Sequence, residues 1–254
     1  MTDIYSPPTV TLSKRPAGSS GYGSVEDGIA GNYKFSISEI FSEAWAKIGG
    51  SKGTVWLAAL FYILGLILLT IGVNIIVSIL GLSARPEDPE AHKALSNLIF
   101  QLLHFPISMA LAGGMYMLGI KLVAGIPVQA KEVFAHFKRI VPLSIAMILM
   151  GLLITIGFIL LIIPGIYLAV AYTMAMPLIL EKNMSPWQAL ETSRKTITRH
   201  WFRMCGFIIA NTILGIVATL LLGIGLIWYV PFSLICLGLI YRNMFGFSDE
   251  LVQS

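Results

Sequence analysis

The stretch TVWLAALFYILGLILLTIGVNIIVSILGL occupies residues 54–82 and contains no charged residue. A helix needs about 20 consecutive apolar residues to cross the hydrocarbon core of a bilayer. The 29 residues of this stretch exceed that length. The stretch therefore predicts a transmembrane helix.

The composition of the chain indicates that this span is not alone. Charged residues make up 12% of the 254 residues, about half the roughly 25% of an ordinary soluble domain. Hydrophobic residues make up 56%, which is more apolar surface than a soluble globule of 27.7 kDa can bury. The composition excludes a soluble globule and predicts an integral membrane protein.

Five further apolar runs follow the first one along the chain. The predicted spans occupy residues 54–82, 98–120, 142–163, 166–180, 205–222 and 227–245. Pro164 and Gly165 form a turn signal, so we expect a tight hairpin between the third and fourth spans. The predicted fold class is therefore an all-α polytopic membrane protein with six transmembrane helices.

An amphipathic helix is predicted before each pair of spans. Apolar residues at helical spacing indicate the first helix at residues 37–48 and the second at residues 129–140. The third begins with Ser185 as N-cap, Pro186 at the first helical position and Gln188 completing a capping box. We expect three units, each an amphipathic cytoplasmic helix plus a transmembrane hairpin.

The two ends of the chain are predicted as tails. The N-terminal segment is rich in Ser, Pro and Gly, a composition that buries too little apolar area to offset the entropy of ordering. We predict a flexible cytoplasmic N-terminal tail at residues 1–35, a six-helix transmembrane domain at residues 36–247 and a short cytoplasmic C-terminal tail at residues 248–254.

The distribution of positive charge predicts the orientation. With six spans, both termini and the three amphipathic helices share one side, which carries 15 of the 17 Lys and Arg residues. Only Arg85 and Lys93 fall on the other side, so the positive-inside rule predicts that both termini are cytoplasmic. The aromatic residues expected at the membrane boundaries are Trp56 and Trp201 on the inner side, and Tyr167 and Trp228 on the outer side.

No sequence pattern indicates an enzyme. The chain lacks G-x-S-x-G, P-loop and H-E-x-x-H motifs, and its four histidines lack metal-ligand spacing. Apart from Arg242 near the end of the sixth, no predicted span has a charged residue between its boundaries, whereas ion-coupled transporters commonly place one at mid-membrane. We therefore expect no catalytic residue, no cofactor, no metal site and no nucleic-acid partner.

Two polar stripes on the first two spans form a candidate polar cavity. The first stripe comprises Thr70, Asn74 and Ser78, and the second comprises Gln101, His104 and Ser108. Each stripe keeps helical spacing, so its members share one helix face. The cavity is predicted at Asn74, Gln101, His104 and Ser108, and the alternative is interhelical hydrogen bonding that holds the hairpin together.

The third amphipathic helix is a candidate contact for anionic lipids. Its basic residues are Arg194, Lys195, Arg199 and Arg203, and Trp187 and Trp201 lie beside them. Cations next to interfacial aromatics are typical of a segment that lies at an anionic leaflet. The alternative is that these charges only determine topology.

Three segments resemble a group of bacterial multi-pass proteins. They are PGIY at residues 164–167, MPLILEK at residues 176–182 and SPWQALETSR at residues 185–194. The group includes the membrane domain attached to some glycerophosphodiester phosphodiesterases and related stand-alone inner-membrane proteins of unassigned function. The resemblance implies a bacterial inner-membrane location and a six-helix domain. It transfers no catalytic residue, because the phosphodiesterase domain has no counterpart in these residues.

The leading functional hypothesis is a non-catalytic integral inner-membrane protein that serves as a scaffold, accessory subunit or lipid-organising element. Its expected partners are membrane lipids, anionic head groups above all, and a protein partner or a second copy of the chain. The alternative is a transporter or channel for a small or amphipathic molecule that uses the polar stripes. A third hypothesis is an enzyme that acts on lipids.

Overall fold

A computed structural model describes residues 22–81 and 89–252 of the chain. In these ranges the chain forms α-helices and short 3₁₀ helices, without strands. In chain order the α-helices are α1 (Val25–Ala30), α2 (Ile37–Lys47), α3 (Lys52–Ile79), α4 (Pro89–Ala124), α5 (Ile140–Leu160), α6 (Ile162–Ala171), α7 (Ala175–Glu181), α8 (Pro186–Arg199), α9 (Trp201–Leu220), α10 (Leu226–Phe245) and α11 (Asp249–Val252). The 3₁₀ helices are Ile48–Gly50, Ala130–Phe134 and Phe137–Arg139.

Six helical stretches in the described ranges have the length and apolar composition that a membrane crossing requires. They are Lys52–Ile79, Lys93–Ala124, Ala130–Leu160, Ile162–Glu181, Trp201–Leu220 and Leu226–Phe245. The prediction of an all-α polytopic membrane protein is therefore confirmed. The grouping of these spans into three units stays a prediction.

The outer surfaces of the spans are apolar. Leu68 and Ile79 on α3 are 69% and 78% exposed, and Leu222 after α9 is 91% exposed. A soluble protein rarely exposes a contiguous apolar surface of this kind. In a multi-pass membrane protein these side chains face lipid tails, where their exposure carries no hydrophobic cost.

The centre of the fold is the contact between α4 and α10. Gly119 of α4 faces Gly238 of α10 so closely that a Cβ on Gly238 would lie 2.9 Å from the carbonyl carbon of Gly119. Small residues permit this close approach of two helix backbones. Around the contact lie fully buried side chains such as Ile120 and Leu239.

The hairpin between the third and fourth spans turns earlier than predicted. Leu161 leaves α5 with an extended backbone (φ −161°, ψ 147°), and α6 starts at the next residue. Pro164 and Gly165 lie inside the first turn of α6, so the predicted turn at these residues is wrong. Proline is tolerated there because the first N–H groups of a helix have no intrahelical partner.

The fourth span is broken between α6 and α7, at residues 172–174. Ser193 of α8 closes the break: its hydroxyl donates to the Ala171 carbonyl at 2.7 Å and accepts from the Met174 amide at 3.1 Å. Ser193 is fully buried. A hydroxyl that is both donor and acceptor thus satisfies backbone groups that the interrupted helix leaves free.

The second predicted amphipathic helix is not an α-helix. Residues 130–139 form two 3₁₀ helices, and the first has a capping box between Gln129 and Glu132. Glu132 is held by Lys121 of α4 at 2.7 Å, and Val133 packs on Gly114 of the same helix. These tertiary contacts override the helical periodicity of the sequence, so the prediction for residues 129–140 is wrong.

The other two predicted helices appear as α2 and α8. For α8, the prediction of the start at Pro186 is confirmed, but the Ser185 side chain makes no capping hydrogen bond, so the capping box with Gln188 is absent. α4 begins at Pro89 and continues through Pro106, so residues 89–97, which lie between the first two predicted spans, are helical.

The predicted tails are largely packed within the described residues. α1 begins at Ser24, whose side chain accepts from the Asp27 amide, and it contacts α8 and α10. At the other end, the Ser248 amide donates to Glu181, and Leu251 is buried. The prediction of tails is therefore wrong for residues 22–35 and 248–252, while residues 1–21 and 253–254 lie outside the described residues.

Candidate functional site

The polar stripes of the first hairpin meet at one point. Thr70 Oγ1 on α3 lies 3.3 Å from His104 Nε2 on α4, and the Asn74 side chain donates to the Thr70 carbonyl at 2.7 Å. The His104 ring also stacks on Phe100, with ring centroids 5.0 Å apart. The contact between Thr70 and His104 is of the kind that joins two transmembrane helices, whereas the other two contacts each lie within one helix.

The other members of the predicted cavity do not join this contact. Ser108 donates to the Phe105 carbonyl of its own helix at 2.8 Å. Gln101 and Asn74 are exposed on the surface of the hairpin. The observed hydrogen bonds favour the packing alternative for Thr70 and His104, and the cavity stays a prediction.

Two of the four basic residues at the candidate lipid contact are paired with an acid. Arg194 donates to Glu191 through Nε at 2.9 Å and Nη2 at 2.7 Å, and Lys195 Nζ lies 3.3 Å from the same carboxylate. The hydrogen bond from Arg194 lowers the pKa of Glu191, and the bonded carboxylate raises the pKa of Arg194. The charge of this part of α8 is therefore partly neutralised.

The other two basic residues bond to backbone carbonyls of α1 and of the segment that follows it. Arg199 Nε donates to Ile29 at 3.1 Å, and Arg203 Nη1 donates to Phe35 at 3.2 Å. Neither forms an ion pair within the part of the chain that the structure describes. Both are exposed. Between them Phe202 is 84% exposed, so an apolar ring and two cations share the junction of α8 and α9.

Tyr33 and His200 complete the attachment of the N-terminal segment to this junction. The Tyr33 hydroxyl donates to the Thr196 carbonyl at 3.0 Å, and His200 Nε2 lies 3.3 Å from the Gly31 carbonyl oxygen. The two rings meet edge to face at 4.9 Å. Burial raises the pKa of Tyr33, so its hydroxyl stays protonated and able to donate.

An ion pair between α2 and α10 was not identified from the sequence. Arg242 donates to both carboxylate oxygens of Glu43, at 2.7 and 2.8 Å, and the Tyr22 ring lies 4.3 Å from its guanidinium carbon. The hydrogen bond from Arg242 lowers the pKa of Glu43, although burial opposes it. The sequence signal for this pair was Arg242 near the end of an apolar run. It was interpreted only as one of the positive charges that set the orientation.

A buried carboxylate at the end of α7 was also missed. The Glu181 side chain is fully buried, and it accepts from the Tyr241 hydroxyl at 2.6 Å and from the Ser248 amide at 2.5 Å. Lys182 Nζ lies 3.3 Å from the same carboxylate. Through Tyr241 and Ser248, Glu181 connects the end of the fourth span to the sixth span and to the C-terminal residues.

The expected placement of the boundary aromatics on opposite faces is wrong. Trp56 Nε1 donates to the Ile227 carbonyl at 3.1 Å, and Trp201 Nε1 donates to the Tyr167 carbonyl at 3.2 Å. Each expected inner residue thus lies beside an expected outer one, since Ile227 adjoins Trp228.

The first of these contacts follows from the course of α2. Glu43 contacts Arg242 near the end of α10, whereas Trp45 contacts Phe232, ten residues earlier. Lys52 then lies over the Trp228 ring, 5.2 Å from its centroid. The chain has therefore passed along α10 to its opposite end before α3 begins.

Comparison with models of protein families, with curated proteins and with solved structures finds no match to this chain. Among the described residues, no group of three or more His, Cys, Asp or Glu side chains is placed to hold a metal ion.

Proposed function

We propose that this chain is a non-catalytic integral membrane protein of the bacterial inner membrane that organises lipids, and that it contacts anionic head groups at the junction of α8 and α9. The observation that carries the proposal is the group Arg199, Phe202 and Arg203, in which two exposed cations without a carboxylate partner among the described residues flank an exposed ring.

The physical argument is the preference of such groups for the membrane interface. An exposed Phe is stable where it enters the boundary between head groups and acyl chains, and a neighbouring Lys or Arg is attracted to anionic lipid by about 1 kcal/mol. The backbone carbonyls that bind Arg199 and Arg203 orient both guanidinium groups without cancelling their charge. Arg194 and Lys195 already share a carboxylate, so we expect less from them.

The orientation remains part of the proposal. The Lys and Arg residues near the termini, before α5 and on α8 support cytoplasmic termini, because the positive-inside rule applies to short segments next to spans. Lys52 does not add to this support, because it lies at the opposite end of α10 from Arg242. The resemblance to bacterial multi-pass proteins supports the inner membrane. Reporter fusions at Ser254 and within residues 86–90 test the two sides of the membrane, and a periplasmic signal at Ser254 would contradict the orientation.

The lipid contact is tested by native mass spectrometry of the protein reconstituted with phosphatidylglycerol and phosphatidylethanolamine. The test variant is Arg199→Gln with Arg203→Gln, and the control is Arg194→Gln with Lys195→Gln, which removes the same net charge. We expect the test variant to lose phosphatidylglycerol enrichment by about five-fold for each charge, while the control changes less. Equal effects of both double variants, or no effect, would refute the contact.

The transporter alternative would require the stripes of the first hairpin to bind a substrate. The hydrogen bond between Thr70 and His104 instead supports a packing role. Changing Asn74, Gln101 or His104 to Leu should therefore alter folded yield only. Loss of solute flux at normal folded yield would favour the transporter.

A further inference from the structure

We infer that the groove between α2, α9 and α10 binds one acyl chain of an anionic phospholipid. The groove has a volume of about 440 Å³, within the roughly 300–1,000 Å³ of ligand sites. Its walls include Phe41 and Trp45 from α2, Val217 from α9, and Trp228 from α10. This site is distinct from the junction of α8 and α9.

The lining of the groove is predominantly apolar. Its side chains are aliphatic or aromatic, and the hydroxyl of Tyr229, its one phenol, is already hydrogen-bonded to the Asn211 amide at 3.2 Å. At the floor, α9 and α10 are in contact, since a Cβ on Gly225 would lie 2.7 Å from the Ala218 Cα. An occupant therefore gains by removing apolar surface, without a polar group to pair.

The occupant is a lipid chain because the groove continues into the lipid-facing surface. Leu221 lines the groove and is 61% exposed, and the next residue, Leu222, is almost completely exposed. A helix with side chains is about 10 Å wide, so one turn of it would fill roughly 420 Å³. The groove thus has room for little more than a single turn of a partner helix, whereas a flexible chain follows it.

The charge beside the groove selects an anionic head group. Lys52 Nζ lies 5.2 Å from the centroid of the Trp228 ring, which lines the groove. Lys52 has no carboxylate partner within the described ranges. A cation near the membrane surface attracts the phosphate of an anionic lipid, and Lys52 lies close enough to the groove for the acyl chain of that lipid to enter it.

The probe is phosphatidylglycerol with a diazirine near the end of one acyl chain, incorporated into vesicles that contain the full chain. After illumination, the labelled peptides are mapped by mass spectrometry. We expect labelling concentrated on residues 214–232. Labelling spread over the lipid-facing helices in proportion to their exposure, or cross-links between two copies of the chain in this groove, would overturn the inference.

Two variants separate the groove from general lipid contact. Val217→Trp fills the groove, and Ile213→Trp places the same ring one turn away on the exposed face of α9. We expect the first to reduce labelling of residues 214–232 at least about five-fold and the second to leave it unchanged. Similar labelling in both variants would overturn the inference.

The head-group preference is tested with Lys52→Gln. We expect the ratio of labelling by the phosphatidylglycerol probe to labelling by a matched phosphatidylcholine probe to fall about five-fold. An unchanged ratio would overturn the anionic selection. Because Arg199 and Arg203 are intact in all three variants, these results are independent of the contact at the junction of α8 and α9.

Discussion

The ion pair between Glu43 and Arg242 makes the sharpest stability prediction. It joins α2 to the end of α10 through two hydrogen bonds of 2.7 and 2.8 Å. The perturbation is Glu43→Gln, which keeps the size of the side chain and removes its charge. Arg242, whose side chain is 9% exposed, would then lack its carboxylate partner.

The magnitude follows from the burial of the two partners. Removing one partner of a buried pair costs about 3–5 kcal/mol, whereas exposed pairs contribute about 0–1 kcal/mol. The Glu43 side chain is 37% exposed, so water compensates part of the loss. The Asn243 side chain and the Tyr22 ring remain in contact with the guanidinium. We expect the free energy of unfolding to fall by about 2 kcal/mol, between these limits.

The assay is unfolding of the purified protein in mixed micelles by increasing mole fractions of SDS, followed by tryptophan fluorescence. The matched control is Glu39→Gln on the same helix, because Glu39 is exposed and has no ion pair within the described residues. We expect the control to change the free energy by less than about 0.5 kcal/mol. If both variants change it equally, the ion pair does not stabilise the fold and the reasoning is wrong.

Three further predictions concern pH and packing. Arg242 lowers the pKa of Glu43 below its unfolded value, so the pair stabilises the fold above that value, and its contribution disappears as the pH falls through the folded pKa. Wild-type stability should therefore fall more steeply than that of Glu43→Gln below about pH 4, and parallel profiles would contradict this. Gly114→Ala should lower the free energy of unfolding by about 1–3 kcal/mol, because the added Cβ would lie 2.6 Å from the Val133 Cα. The control is Gly151→Ala, which has open space around it and should not destabilise the fold. Ser193→Ala should lower the free energy of unfolding by about 1–3 kcal/mol in the same SDS titration, because the backbone groups at the α6–α7 break lose their hydrogen-bond donor and acceptor. If the free energy falls by less than it does when an exposed serine is changed to Ala, Ser193 does not have this role.

The spans were predictable because hydropathy is a local property. Six runs were identified, and the described residues contain six helical stretches of sufficient length and apolarity, with ends shifted by several residues. Where tertiary contacts compete with a local signal, prediction failed. Where Val133 packs on Gly114, the chain forms a 3₁₀ helix in place of the predicted α-helix. The turn predicted at Pro164 lies at Leu161 instead.

The candidate sites were predictable as residue types but not as contacts. The basic residues of α8 and the start of α9 all appeared in the predicted lipid contact. Their sequence spacing gave no reason to separate Arg194, which is paired with Glu191, from Arg199, which binds the Ile29 carbonyl. That partner is 170 residues away, and a helical pattern contains no information about it.

The membrane character of the chain and the positions of its spans could be inferred from the sequence alone, because a span is a run of about 20 contiguous apolar residues whose transfer into lipid depends little on neighbouring segments. The pairing of Glu43 with Arg242, 199 residues away, and the contact of Lys52 with Trp228 required the folded chain. The packing of α2 along α10 creates both contacts and the apolar groove, because helix packing depends on surfaces that the chain brings together only when it folds.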